Sequence, residues 1–298
     1  MDWPNLPRLT PELRAPRMGS VDRLGWAGGL SLVSYGVRLG IRVNDPRLLD
    51  SIHERLPPGW KPSPSPEVER LYSVRLGGAV SGGRRRASLL YENEVRAARS
   101  LEPDQVLDRL ESMLRLCVAE HARRRVFVHA GVVGWRGVAI IIPGRSFTGK
   151  STLVAGLLRA GATYYSDEYA VLDARGRVHP FLKPVEIRTG GGPVQSKFSA
   201  AEFGAASGAR PLKVALVLMT KYRKGARWKP RELSAGAGVL ELLANTVSAR
   251  RKPAESLAVL QCLASGAVVL KGVRGEAAEV VKLITNGSPL WAARGSAL

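Results

Sequence analysis

Apolar and polar positions follow two different regimes along this chain. From Gly29 to about Leu90, apolar runs of strand length (LSLVSY, VRLGIRV, RLYSVRL and ASLLYE) are separated by turn-forming residues. That is the pattern of a β-rich unit. Between them, Pro46 to Leu56 has helical spacing and is stopped by the Pro57-Pro58 pair, which cannot supply backbone donors. A longer helix is predicted from Pro103. Proline suits the first helical position, Asp104 the first turn, and Val106, Leu110, Met113, Leu114 and Cys117 recur on one face.

Beyond Arg125, strands and helices alternate. Strands are predicted over Val126 to Val133, Val138 to Ile142, Ala162 to Ser166, Val214 to Met219 and Val268 to Lys271. Helices are predicted after Lys150, where Leu153, Val154, Leu157 and Leu158 mark one face and Gly161 caps it, and over Ala235 to Val247, Pro253 to Ala264 and Gly275 to Ile284. This alternation predicts an α/β domain over residues 101–298. Before it come an irregular arm rich in proline and arginine (1–20) and a smaller β-rich α+β domain (21–100). No internal repeat is visible.

Composition narrows the function class only a little. Hydrophobic residues make up 45% and charged residues 23%, as in ordinary globular chains. The longest apolar runs are too short to span a bilayer, and the N-terminus has no apolar leader. Cys117 and Cys262 lack metal-ligand spacing and fall in apolar helical patterns, so both read as buried free thiols of a cytoplasmic protein. The net charge of +20 stands apart. It would attract nucleotides, acidic proteins or nucleic acid alike. Aromatic residues interleave with the basic ones only at Tyr222 and Trp228, which argues against nucleic acid as the main partner.

The strongest chemical signal is Gly144-Arg145-Ser146-Phe147-Thr148-Gly149-Lys150-Ser151, which matches G-x-x-x-x-G-K-[ST]. It follows the buried-strand run Val138 to Ile142 and opens a helix, the context a phosphate-binding loop requires. Glycines let backbone N–H groups turn inward around phosphate oxygens, and the helix N-terminus adds its positive end. Lys150 would bridge the terminal phosphates, Ser151 would hold Mg²⁺, and Thr152 completes the stretch predicted to bind ATP.

Where a common ATPase would carry an acid, the strand Val214 to Met219 ends in Thr220-Lys221. The acids are Asp167-Glu168. From Lys150 the helix runs out about 16 Å and the strand Ala162 to Ser166 returns a similar distance. The pair should therefore arrive back beside the loop as metal ligand and catalytic base. Upstream, Gly134 to Gly137 reads as a tight hairpin turn, and pairing Val133 with Val138 places His129 opposite Ile142. His129 is thereby a candidate site residue at the phosphate end, although a histidine in an apolar strand also serves structure alone.

The string VFVHAGVVGWRGVAIIIPGRSFTGKSTLVAGLLRAGATYYSDEYAVL resembles the catalytic domain of HPr kinase/phosphorylase and its kinase-like relatives. That family shows a His-Ala/Gly strand, a hairpin, G-x-S-x-x-G-K-S and an acidic pair after a strand. Pro184 to Arg188 adds a likeness to its E-[LI]-R-G signature. The resemblance spans about residues 126 to 190. It implies a P-loop domain of the HPr kinase and phosphoenolpyruvate carboxykinase-like type, and phosphoryl transfer from ATP to a serine, commonly on a partner protein. By position it implies Lys150 on the terminal phosphates, Ser151 and Asp167 on the metal, Glu168 as base, His129 nearby and Glu186 helping to hold a metal. It also implies an oligomer.

Two stretches depart from the family. The pair is Asp-Glu where Asp-Asp is usual, and Thr189-Gly190-Gly191-Gly192 replaces a Gly-x-Gly continuation. What the resemblance implies therefore does not extend to the reverse phosphorolysis or to HPr itself as acceptor. The basic surface suits an acidic protein or peptide acceptor. Two other functions use the same residues: a nucleotide-sensing protein without catalysis, and a small-molecule kinase.

Overall fold

The computed structural model describes residues 21–78, 85–144, 149–188 and 195–286 of the 298. The arm expected over 1–20, the residues Arg145, Ser146, Phe147 and Thr148, and the run Thr189 to Gly192 lie outside them. Two compact units divide the chain. One consists of Met1–Ser31, Leu39–Arg55 and Pro64–Leu110, the other of Leu32–Arg38, Leu56–Ser63 and Glu111–Leu298.

The first stretch of chain builds strands β1 (Gly28–Ser34) and β2 (Val37–Val43), helix α1 (Leu48–His53), and strands β3 (Lys61–Pro62), β4 (Arg70–Arg75), β5 (Ser88–Glu92) and β6 (Val95–Ser100). They form one sheet in the order β3-β1-β2-β4-β5-β6. Leu39, Ile41, Val43, Tyr72, Val74 and Leu90 are buried from the sheet, and Leu48 and Ile52 from α1. The four apolar runs read from the sequence are β1, β2, β4 and β5. Strand β6 escapes that reading because VRAARS has no apolar alternation, with Val95 70% exposed. It is an edge strand carrying arginines, a composition that discourages further pairing.

Helix α2 (Pro103–His121) carries the chain from the first unit into the second, the border falling between Leu110 and Glu111. Then follow β7 (Val126–Trp135), β8 (Val138–Pro143), α3 (Lys150–Arg159), β9 (Thr163–Ser166), β10 (Tyr169–Leu172), β11 (Val178–His179), β12 (Val185–Arg188) and β13 (Gln195–Phe198). The chain ends in β14 (Val214–Tyr222), β15 (Arg231–Glu232), α4 (Ala235–Leu243), α5 (Pro253–Gly266), β16 (Val268–Arg274) and α6 (Ala277–Thr285). The second unit is thus α/β.

Its main sheet runs β11-β10-β7-β8-β14-β16-β15, with β9 also paired to β7. Strands β8, β14 and β16 are parallel, while β7 and β10 run antiparallel to their neighbours. Helices cover both faces, which is why the central strands are apolar throughout. Ile140 and Ile142 of β8, Leu216 and Leu218 of β14, and Val268 and Leu270 of β16 pack with Leu153 and Leu157 of α3 and Val280 and Ile284 of α6. Alternate positions, among them Ile141, Val217 and Val269, pack with Leu242 of α4 and Val259, Leu260 and Leu263 of α5. Cys117 is buried as expected, but Cys262 is exposed, because α5 turns Ser256, Val259, Leu260 and Leu263 inward and leaves position 262 outside.

Candidate functional site

The site assembles around β7. A two-residue turn, Arg136-Gly137, joins β7 to β8, and both residues have positive φ (48° and 83°). That is the backbone of a type I′ hairpin, whose twist matches the flanking strands. The turn sets the register: Trp135 faces Val138, Val133 faces Ile140 and Gly131 faces Ile142. The pairing of Val133 with Val138 expected from the sequence is therefore two residues out. The turn is tighter than a four-residue reading allows. In consequence His129 sits opposite Gly144, whose N–H donates to the His129 carbonyl at 3.1 Å. The imidazole lies against Tyr169, with ring centroids 4.8 Å apart.

On the other side of β7, Ser166 faces Val132 and Tyr169 faces His129, so Asp167 and Glu168 run alongside Gly131 and Ala130. The Ala130 N–H donates to the Glu168 carbonyl at 3.1 Å. The Ser166 hydroxyl accepts from the N–H groups of Glu168 and Tyr169 at 3.1 and 3.0 Å, which fixes the bend that presents both acids. Gly131 makes this approach possible. A β-carbon there would lie 2.5 Å from Cγ2 of Val154 on α3.

Strand β8 leads towards α3 on one flank of β7 while β9 and β10 carry the acids along the other. They meet at Ser151, whose hydroxyl donates to Oδ2 of Asp167 at 2.9 Å. Asp167 is 7% exposed, and its Oδ1 is buried with no hydrogen-bond partner among the described residues. Burial pushes the Asp167 carboxyl up to about 6, against the pull of the Ser151 hydroxyl, Lys183 and Lys150. Burial likewise lowers the Lys150 ammonium below its ordinary value. Asp167 and Glu168 oppose that shift and Lys183 adds to it. Gly149 caps α3 with φ 79°.

Glu168 is held differently. Its Oε2 lies 2.8 Å from Nε of Arg115 on α2 and 3.4 Å from the Lys183 ammonium. Arg115 also pairs with Glu111 one turn earlier, and Lys183 with Glu186 at 3.1 Å. Both cations are at least nine-tenths buried. Burial opposes the charge on Arg115, but Glu168 and Glu111 together hold the guanidinium above its ordinary value. The Tyr164 hydroxyl donates to the Lys183 carbonyl at 2.7 Å and anchors that residue.

Of the residues selected from the sequence, Lys150, Ser151, Asp167 and Glu168 come together, and His129 stands opposite the loop's first glycine, Gly144. Thr152 follows in the first turn of α3. Glu186 reaches Asp167 through its backbone N–H, and its side chain is engaged by Lys183. The sequence reading missed Arg115 and Lys183. Arg115 lies four residues after Glu111 on one helix face and Lys183 three before Glu186, a signal only for local ion pairs. Nothing in the spacing points to Glu168.

Among the described residues, no three His, Cys, Asp or Glu side chains gather as a metal cage. Mg²⁺ needs less, binding through one or two carboxylates with phosphate oxygens and water. The Ser151 hydroxyl and the unpartnered oxygen of Asp167 fit that requirement. No helix among the described residues is long and apolar enough to cross a membrane. Neither a protein-family model nor a curated protein matches the chain.

Proposed function

We propose that this chain binds ATP with Mg²⁺ in a P-loop site of the HPr kinase type and transfers the γ-phosphoryl group to a hydroxyl, that of a serine on an acidic protein or peptide. The observation that carries the reading is the 2.9 Å contact between Ser151 and a buried, half-satisfied Asp167, one residue from Lys150. A serine at the start of a helix that touches a carboxylate from a neighbouring strand is the arrangement that a nucleotide-bound cation uses.

In this reading Lys150 and the N–H groups at the start of α3 hold the terminal phosphates. Ser151 and Asp167 would hold the metal, which when bound neutralises charge on the phosphate oxygens. Glu168 receives the proton of the acceptor hydroxyl, and Arg115 and Lys183 fix its direction. Phosphoryl transfer depends mainly on positioning and charge neutralisation, so these few groups suffice. An exposed basic run from the end of β14 to the start of β15 (Lys221, Arg223, Lys224, Arg227, Lys229 and Arg231) supports an acidic acceptor.

One observation favours a second reading, a nucleotide sensor without catalysis: Glu168 is engaged by two buried cations. Purified protein with γ-labelled ATP and candidate acidic peptides separates the two. The kinase reading expects label on serine, lost in Lys150→Ala together with ATP binding. Glu168→Gln should keep ATP affinity and lose most turnover. It should also cost roughly 2 kcal/mol of stability, because Arg115 and Lys183 each lose one of two carboxylates. Full transfer by Lys150→Ala would sink the assignment, and ATP binding without transfer would leave the sensor.

A further inference from the structure

Arg274, the last residue of β16, is 2% exposed and among the largest fully buried side chains of the described residues. Its guanidinium donates to the Gly149 carbonyl at 2.8 Å and to the Gly275 carbonyl at 2.8 Å. Its Nε is buried with no hydrogen-bond partner, and Arg274 enters no ion pair among the described residues. The acid that acts on it, Glu276, accepts from the Tyr222 hydroxyl at 3.1 Å.

This is an expensive place for a cation. A buried guanidinium is ordinarily matched by a carboxylate, because the loss of water must be offset by a close opposite charge. Here Glu276 favours the charge without forming an ion pair, and on the Gly149 side the neighbours have the same sign. Gly149 is the N-cap of the ten-residue helix α3, whose N-terminal end is positive, and Lys150 follows directly. The contact is also built into the residue type at 149. A β-carbon on Gly149 would lie 2.5 Å from Nη2 of Arg274, so a larger residue would displace the guanidinium, and its φ of 79° favours glycine in any case. Tyr222 closes the other side, its ring centroid 5.6 Å from Cζ.

A helix N-terminus, a lysine and a buried arginine that enters no ion pair among the described residues thus follow one another at Gly149. We infer that Arg274 is a positioning residue for polyphosphate: it pins the C-terminal end of the phosphate-binding loop through Gly149 and supplies a buried positive charge that bound phosphate neutralises. The inference rests on the nucleotide-binding reading above, and Arg274 lies outside the stretch that carries the family resemblance.

The test compares Arg274→Met and Arg274→Lys with the unaltered chain, measuring affinity for ATP and inorganic tripolyphosphate and thermal unfolding with and without each. Removing a buried cation that enters no ion pair should leave the ligand-free unfolding temperature of Arg274→Met equal to or above that of the unaltered chain. Its affinity for both ligands should fall at least tenfold, with the ligand-induced rise in unfolding temperature lost. Arg274→Lys keeps the charge and should retain more of that rise than Arg274→Met. If Arg274→Met unfolds earlier without ligand yet binds both ligands within twofold of the unaltered chain, the arginine merely packs and the inference is overturned. Should Arg274→Met fail to fold, an Arg274→Lys whose ligand-induced rise is as small as that of Lys150→Ala overturns the charge role, and a preserved rise supports it. Failure of the unaltered chain to bind either ligand defeats the nucleotide-binding reading itself, an outcome distinct from both.

Discussion

Asp167 shows how a single side chain can cost stability and still be retained. Its carboxyl, raised by burial to about 6 from an ordinary 3.8, binds a proton more readily in the folded chain than in the unfolded one. Between about pH 4 and pH 6 the folded state therefore holds the extra proton, and stability falls as pH rises through that window. The gap amounts to at most about 3 kcal/mol of lost stability at neutral pH. Asp167→Asn can still accept from Ser151 and carries no charge. We expect it to unfold at a higher temperature than the unaltered chain at pH 7.5, with the difference closing between pH 6 and pH 4. A difference independent of pH across thermal scans from pH 4 to 8 would show that charge burial is not its source. The same acid should make Mg²⁺ and ATP stabilise the unaltered chain more at pH 7.5 than at pH 5, since a cation competes with the proton for Oδ1.

At the scale of elements, the site is a crossing of two hairpin-like returns on β7, and its tightest point is the α3–β7 contact. Val154 is β-branched and held in one rotamer on a helix, so it cannot swing from a β-carbon at position 131. Gly131→Ala should cost about 1–3 kcal/mol by overpacking and weaken ATP binding, because α3 must shift with Lys150 and Ser151 upon it. Val154→Ala opens the same space from the other side. The double variant should therefore be more stable than the sum of the single changes by about 1 kcal/mol or more, measured by denaturant unfolding. Strict additivity would place the close contact elsewhere. Such features decide how much of the molecule could be read from residues alone. The apolar runs of β7, β8, β14 and β16 and the faces of α2 and α3 are visible in sequence because both sides of the sheet are covered. The out-and-back lengths of α3 and β9 suffice to bring Asp167 near Ser151. Arginine-rich β6 hides because an edge strand has no buried alternation to display. Arg115, Lys183 and Arg274 hide because their partners lie 53, 15 and 125 residues away in sequence, and a lone basic residue in an amphipathic or apolar run looks like surface.

For the whole molecule, the division into units does not follow the order of the chain. Leu32–Arg38, the end of β1, the turn at Tyr35-Gly36 and the start of β2, belongs to the second unit. Tyr35 from that tip packs edge-on against Phe127 at 5.2 Å and lies 6.3 Å from Phe181, both fully buried, while its carbonyl accepts from the Arg123 N–H at 2.8 Å. These rings, with Tyr169, pack along the strand that holds His129. Conversely, Val106, Leu107 and Leu110 in the first half of α2 are buried and belong to the first unit. A fragment of residues 101–298, the natural cut on sequence grounds, would leave those three side chains bare and remove the cover from two phenylalanines. Each large apolar side chain so exposed forfeits roughly 1.5–3 kcal/mol, and together they approach the stability of a typical domain. The fragment should therefore unfold without a cooperative transition, or at least about 10 °C below the full chain, and bind a hydrophobic dye. Tyr35→Ala in the full chain should reproduce a part of that loss while leaving the pairing of β4, β5 and β6 intact. A fragment that melts cooperatively at the full chain's temperature would mean that the aromatic cluster closes without Tyr35, and the site on β7 would then be independent of everything before helix α2.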